Sequence, residues 1–396
     1  MNILVITQYF YPENFRINQL CLDLKDRGHR ITVLTGKPNY PKGEYYEGYT
    51  FKGNEDEIWN DIPIIRVPLR ARKTGSLNLI RNYLSFVYQA NKKVKSIAAS
   101  YDLIYVFEVS PITVALPAIK LKKKQHIPIV MNVQDLWPEN IIAVTGIKNK
   151  AIVGCVSILV NYIYRHCDLL LAASPSFVNR IQERVDEKEK VKYWPQYSVV
   201  KKADDSPIHF DHYKMHIMFT GNIGEAQGID IAIEAAKMLR DQPIHWHFIG
   251  DGRQRKTMEE KVKKYGLQDK ITFYGFKPES EIPVYLAATD AALLILKKDP
   301  VFEMTIPAKL QTYLACGVPI IGCISGEAKK IITDAQAGLV GETISSQSLA
   351  DLCMRYINQS DEEKESYRIN ALSYGKAHFD KIQLLDQLES YMEELI

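Results

Sequence analysis

No CxxC pair occurs among the six cysteines, Cys21, Cys155, Cys167, Cys316, Cys323 and Cys353. They are widely scattered, most of them in apolar segments where a thiol is a small core residue, so no disulfide framework is expected and a reducing cytosol fits. No apolar run reaches the roughly 18–20 residues of a membrane-spanning helix. The nearest, Ala151 to Tyr164, is too short. No basic leader precedes the opening run Met1-Asn2-Ile3-Leu4-Val5-Ile6-Thr7, which reads as a strand and not as a signal peptide. A large charge excess is missing as well, with 50 basic against 47 acidic side chains. A chain gripping nucleic acid along its length would be basic throughout, so that class is set aside. The balance hides a split: residues 1–200 hold 27 basic and 18 acidic side chains, the remainder 23 and 29.

What is present is alternation. Its 396 residues, 46 % of them apolar, suffice for two cores. Short β-rich runs (Asn2–Thr7, Arg30–Leu34, Ile62–Val67, Asp102–Phe107, Ile127–Val133, Asp168–Ala173) alternate with helical patterns (Asn14–Arg27, Leu77–Ala98, Ile112–Lys123, Lys148–Arg165). Pro175 opens a further helix as a first-turn proline. The pattern pauses from about Pro195 to Tyr213. It restarts at Met215–Thr220, then runs on through Gln227–Leu239, Ile244–Ile249, Gln254–Tyr265, Ile271–Tyr274, Ala291–Ile295, Met304–Ala315 and Val318–Gly322. Strand–helix alternation of this kind predicts parallel sheets flanked by helices. The fold class expected is α/β, two Rossmann-like domains facing each other across a cleft. The expected boundaries are 1–195, a linker at 196–213, 214–375, and a C-terminal helix at 376–396 that returns to the first domain.

Ligands of such sheets bind outside the carboxyl ends of the strands. The first loop, Gln8 to Asn14, lacks GxGxxG, so a dinucleotide site is not expected there; it reads either as an aromatic wall for a glycan or as an ordinary surface loop. The second domain opens on Gly221, Asn222 and Gly224, with Gly228 beyond. Gly250-Asp251-Gly252 repeats the design after the next strand. Glycines let a backbone approach a ligand, and a helix N-terminus favours phosphate. Pro307 reads as a helix start with Lys309 in its first turns, where an ammonium meets a diphosphate; alone, Lys309 is equally a solvated surface lysine. Glu303 precedes it as a hydroxyl acceptor, eight positions before Gln311. In the first half, Gln134-Asp135-Leu136-Trp137-Pro138-Glu139 follows a strand. Asp135 and Glu139 are either acceptor-handling carboxylates or caps of that turn, and Trp137 is packing or a sugar platform.

Together these blocks resemble glycosyltransferase family 4, the retaining two-domain enzymes of GT-B fold, over nearly the whole chain. The family pattern at the last block is Glu, seven residues, Glu; here Glu303 matches the first and Gln311 replaces the second. Relatives carry Arg and Lys where this chain has Asn222 and Gln227. Phe219-Thr220-Gly221-Asn222-Ile223-Gly224, Pro307-Ala308-Lys309 and Asp135-Leu136-Trp137-Pro138-Glu139 are similar to the branch that includes N-acetyl-L-fucosamine transferases of O-antigen and capsule assembly. The resemblance implies a UDP-sugar donor held by Gly221, Asn222, Gly224, Gly250, Gly252, Arg253, Lys309 and Gln311. It also implies that Lys309 takes over part of the phosphate binding, with Asp135, Glu139 and Glu303 as the other catalytic candidates. No essential metal and no cofactor are expected.

The acceptor this implies is an undecaprenyl-diphosphate-linked saccharide. Residues 62–101 hold eight basic residues, Arg66 among them, and no acid; Leu77, Leu79, Ile80, Tyr83, Leu84, Phe86 and Val87 interleave. Lys120, Lys122, Lys123 and Lys124 form a second cluster at 120–124. The stretch reads either as a surface for anionic lipid or as a helix covering the sheet with solvated lysines. The first reading makes the chain cytoplasmic and peripheral on the inner face of the plasma membrane, with no nucleic-acid partner. Two other readings stand: a nucleotide-sugar epimerase of the same shape, and a non-catalytic nucleotide-sugar-binding assembly protein.

Overall fold

The computed structural model describes residues 1–53, 56–141, 149–198, 208–211 and 214–396. The linker expectation at 196–213 therefore lies largely outside the described residues. The chain divides into two compact units, Met1–Trp194 with Leu385–Ile396, and Pro195–Leu384.

Unit 1 is built on an eight-stranded sheet. Its strands are β1 (Asn2–Ile6), β2 (Arg30–Thr35), β3 (Asp56–Trp59), β4 (Ile62–Arg66), β5 (Leu103–Glu108), β6 (Ile129–Val133), β7 (Leu169–Ala172) and β8 (Val191–Tyr193), in the order β3-β4-β2-β1-β5-β6-β7-β8. All neighbours run parallel except β3 with β4. Strands β5, β6 and β7 are buried along their whole length. Continuous Val/Ile/Leu runs are what a parallel sheet covered on both faces demands. The helices are α1 (Arg16–Asp26), α2 (Ser76–Ser96), α3 (Leu116–Gln125), α4 (Lys150–His166) and α5 (Pro175–Gln182). Helix α1 buries Ile17, Leu20, Cys21 and Leu24, the i, i+3, i+4, i+7 face. Ser174 caps α5, its Oγ accepting the Phe177 N–H at 3.1 Å, with Pro175 in the first turn. The segment from Ile112 opens as a 3₁₀ turn to Ala115 before α3 begins at Leu116.

Unit 2 carries a six-stranded parallel sheet of β9 (Met215–Thr220), β10 (Ile244–Ile249), β11 (Ile271–Gly275), β12 (Ala291–Ile295), β13 (Ile320–Cys323) and β14 (Gly338–Val340), ordered β11-β10-β9-β12-β13-β14. Its helices are α6 (Ile229–Met238), α7 (Arg255–Tyr265), α8 (Ile282–Ala287), α9 (Pro300–Glu303), α10 (Ala308–Ala315), α11 (Gly326–Asp334), α12 (Ser346–Ile357), α13 (Asp361–His378) and α14 (Lys381–Glu393); α14 runs on past Leu384 into unit 1. There Glu389 accepts from Arg27 at 2.6 Å and contacts His29 at 2.7 Å. The helix expected over Met304–Ala315 forms only from Ala308 onward, as α10, and a separate short helix, α9, precedes the expected span. α9 ends at Glu303, and α10 starts after Pro307, whose ring drives the preceding residue out of the helical region.

Strand order reverses between β1 and β5 in unit 1 and between β9 and β12 in unit 2. Loops leaving the carboxyl ends of these strands flank the crevice where such sheets take ligands.

Candidate active site

In unit 2 the turn after β9 is assembled by close backbone contact. The Gly221 N–H donates to Ile249 O (2.9 Å), and Gly250 N–H to Gly275 O (2.8 Å). Gly250 has φ +137, and a Cβ there would stand 1.8 Å from Gly221 O. This glycine is required by the approach of two protein loops, whatever it does for a ligand. A side chain at Gly252 would strike Asn222 Oδ1 and Ile223 O, both at 2.5 Å. The turns that hold Gly221, Asn222 and Gly224 therefore pack directly on Gly250-Asp251-Gly252.

Lys309 enters this place from the second position of α10. Its Nζ lies 4.0 Å from the Phe219 ring centroid and 3.8 Å from where a Gly221 Cβ would be. It donates to Gln227 Oε1. Among the described residues no carboxylate pairs with it, and burial lowers its pKa to about 7. Gln311, two positions on, faces another side of α10 and is 2 % exposed, with no side-chain hydrogen bond among the described residues. Glu303 accepts from Ser325 Oγ at 2.9 Å, and its backbone abuts Gly326 at the start of α11, where a helix terminus favours a carboxylate. Arg253 is exposed, just ahead of α7.

In unit 1, Asp135 is held from the β5 end. Ser110 Oγ donates to Asp135 Oδ2 (2.5 Å), and the Trp137 indole N–H donates to Ser110 Oγ (3.3 Å). Trp137 is buried, so it packs. The Asp135 N–H donates to Glu108 Oε2 at 3.3 Å. Burial raises the Asp135 pKa against the lowering by Ser110. Glu108 is fully buried, and burial followed by the Asp135 charge raises it well above the carboxylate range. Sequence reasoning passed over Glu108 and Ser110; a carboxylate ending an apolar strand becomes meaningful only once β5 and β6 are known to be neighbours. Glu139 pairs with Arg184 at 3.2 Å.

Of the first loop, Tyr11 and Asn14 are exposed. Gln8, Tyr9, Phe10 and Glu13 are all buried. Glu13 accepts the N–H groups of Asn39 and Tyr40 (both 2.7 Å) and of Phe10 (3.3 Å), fastening two loops together, while burial raises its pKa to about 7. The basic stretch 62–101 is mixed. Arg66 is 1 % exposed, paired with Glu57 at 2.7 Å and donating to the Gly36 and Tyr11 carbonyls, so it faces no lipid. Leu79, Tyr83 and Phe86 are core, because α2 spends that face on the sheet, whereas Leu77 and Leu84 are exposed. In the second cluster, Lys122 pairs with Asp168 at 2.6 Å and Lys120 and Lys124 donate to backbone carbonyls. No helix among the described residues is long and apolar enough to cross a membrane.

Two family models match: Glycosyltransferase Family 4 over residues 15–196 and Glycosyl transferases group 1 over residues 201–373. The putative colanic acid biosynthesis glycosyl transferase WcaI of Escherichia coli is 25 % identical over 342 residues, covering 80 % of this chain and 82 % of that protein. Among solved structures, sucrose-phosphate synthase from Thermosynechococcus elongatus superposes with a TM-score of 0.76 at 14 % identity, over 100 % of this chain and 98 % of that one. Anabaena HepE in complex with UDP-glucose superposes with a TM-score of 0.67 at 16 % identity, over 100 % of both chains.

Proposed function

We propose that this chain, a glycosyltransferase of GT-B fold, moves a sugar from a UDP-sugar to a lipid-diphosphate-linked saccharide in bacterial surface polysaccharide synthesis. The observation that carries the reading is Lys309, a desolvated ammonium with no carboxylate partner among the described residues. It stands in the first turn of α10 beside the glycine turn of β9. A half-buried cation without a counter-ion is costly unless an anion arrives to pair with it. The sugar–diphosphate bond breaks there, and Lys309 with the α10 N-terminus stabilises the charge that develops on the departing diphosphate.

The departures from the family pattern fit together. Where relatives carry lysine this chain has Gln227, and Gln227 is the residue Lys309 contacts. The cation has moved from one element to another while serving the same place. Arg253 supplies a second cation from its exposed loop. Asp135 orients the acceptor hydroxyl, whose proton passes to the departing diphosphate as the new glycosidic bond forms with retained configuration and without a metal. Motif similarity favours an N-acetylated amino sugar such as N-acetyl-L-fucosamine. The acceptor lipid brings the chain to the anionic inner face of the plasma membrane, met by the exposed part of residues 62–101 and 120–124.

The test is to incubate purified protein with UDP- and GDP-sugars, with and without undecaprenyl-diphosphate-linked N-acetylglucosamine. Nucleotide release that requires the lipid, with a one-sugar gain in lipid mass, is the expected result. Sugar-nucleotide isomerisation without lipid would establish an epimerase instead. Tight UDP binding with no product across the panel would leave a non-catalytic assembly protein.

A further inference from the structure

The outward face of α4 has no role in the reading above. Positions 151, 155, 158 and 162 recur at i, i+4, i+7 and i+11, one stripe of a helix. They are Ala151, Cys155, Ile158 and Tyr162, all exposed. Ile158 is 72 % exposed and Ile152, at the edge of the stripe, 44 %. The opposite face is occupied with the core through Val160, Ile163 and Tyr164. Helix α4 is thus apolar toward the core and toward the outside, with no charge between Lys150 and Arg165. A helix facing water carries charge on its outer face, and a contiguous exposed apolar patch marks a contact surface.

Its neighbours define the contact. Helix α3 lies between α2 and α4. Lys123 Nζ reaches Tyr162 Oη on α4 (3.2 Å), and Lys120 donates to Asn91 O on α2 (3.0 Å). None of the three helices contains an aspartate or glutamate. The outer stripe of α2 reads Leu77, Arg81, Leu84, Tyr88, Lys92, Lys95, with Leu77 and Tyr88 among the most exposed apolar side chains. A layer that offers cations and apolar groups and contributes no carboxylate of its own complements anionic headgroups over acyl chains.

We infer that α4 is the interfacial helix of this chain. It lies in the plane of an anionic bilayer with Ile152, Ile158 and Tyr162 at the acyl boundary and Lys123 among the headgroups. Helix α2 docks beside it through Leu77, Leu84 and Tyr88. The inference rests on the membrane-surface reading and is independent of which sugar is transferred.

Cys155 supplies the probe, because it is exposed where Cys21, Cys167, Cys323 and Cys353 are buried. In a Cys316→Ser background it takes a polarity-sensitive fluorophore, and the labelled protein is mixed with vesicles of phosphatidylglycerol and phosphatidylethanolamine. The expected result is cosedimentation, a blue shift of the fluorophore, and quenching by nitroxides placed high on the acyl chains. Ile158→Glu, at a solvent-facing position the fold does not need, should lower the partition coefficient at least about tenfold. Cosedimentation with an unshifted probe and an indifferent Ile158→Glu would overturn the role of α4 while leaving the basic surface in place. No cosedimentation would overturn both. A probe shielded by rising protein concentration without vesicles would assign the stripe to a second copy of the chain and end the proposal.

Discussion

Binding of UDP should take up a proton, and Lys309 should be where it goes. Burial lowers its pKa to about 7, so at pH 8 roughly nine molecules in ten hold the amine neutral. A diphosphate against Nζ favours the charged form and returns the pKa toward its ordinary value near 10. Linkage then requires uptake of about 0.9 proton per UDP at pH 8 and about 0.5 at pH 7. It also requires affinity to fall close to tenfold for each pH unit above about 7.5 until the pKa of the complex is reached. Titration calorimetry in buffers of different ionisation enthalpy reads the uptake as a slope. Lys309→Gln should abolish that slope and weaken UDP at least about tenfold at pH 7, since a charge-assisted contact is lost. Titration of the UDP phosphate itself is common to both proteins and cancels in the comparison. A wild-type slope of zero, or the same slope in the variant, would refute the reasoning.

Three further outcomes follow from the geometry. Asp135→Asn should cut kcat/KM by about a hundredfold with the fold intact, the loss expected when a reacting group is no longer held in place; the wild-type rate should fall on the acid side at a pH above that of an ordinary aspartate, because the carboxylate must be charged to hold the hydroxyl and the Asp135 pKa is raised. His247, buried and bonded to His216 at 2.9 Å and Tyr274 at 2.8 Å, has its pKa lowered to about 3 by burial and then by His245 and His216. Its stabilising contribution is complete above the unfolded value near 6.5 and drains away as pH falls toward 3, about 2 kcal/mol being lost by pH 5; Tm should therefore drop more steeply between pH 7 and 5 in wild type than in His247→Gln. Gly250→Ala should cost roughly 3 kcal/mol or more in denaturant unfolding, from strain and collision with Gly221 O, whereas Gly266→Ala, at φ +66 with open space around it, should cost only about 1 kcal/mol.

The architecture was legible because both sheets are parallel but for β3 and their central strands are buried on both faces, so those strands appear as unbroken apolar runs and the helices as 3.6-residue patterns. The restart at Met215–Thr220 was readable for the same reason. Strands β3, β8 and β14 were not, since three or four residues at or near a sheet edge carry little periodicity. The break before α10 was written in Pro307, but the apolar spacing of Met304, Ile306 and Leu310 mimics a continuous helix. At the site, Lys309 and the glycine turns could be named from type and spacing. Its contact with Gln227 could not, because it joins positions on two elements that only the sheet order brings together. Glu108 and Ser110 were hidden for that reason too. The basic stretch 62–101 was half legible: its charge is visible in the chain, whereas burial of Arg66, Leu79, Tyr83 and Phe86 depends on which face of each element meets the core.

The most direct measurement is a structure of the protein with UDP bound. A diphosphate oxygen is expected within hydrogen-bond distance of Lys309 Nζ, in place of or beside Gln227, with the diphosphate lying against the Gly221–Gly224 turn. UDP seated with its diphosphate away from Lys309, and Lys309 still bonded only to Gln227, would contradict it.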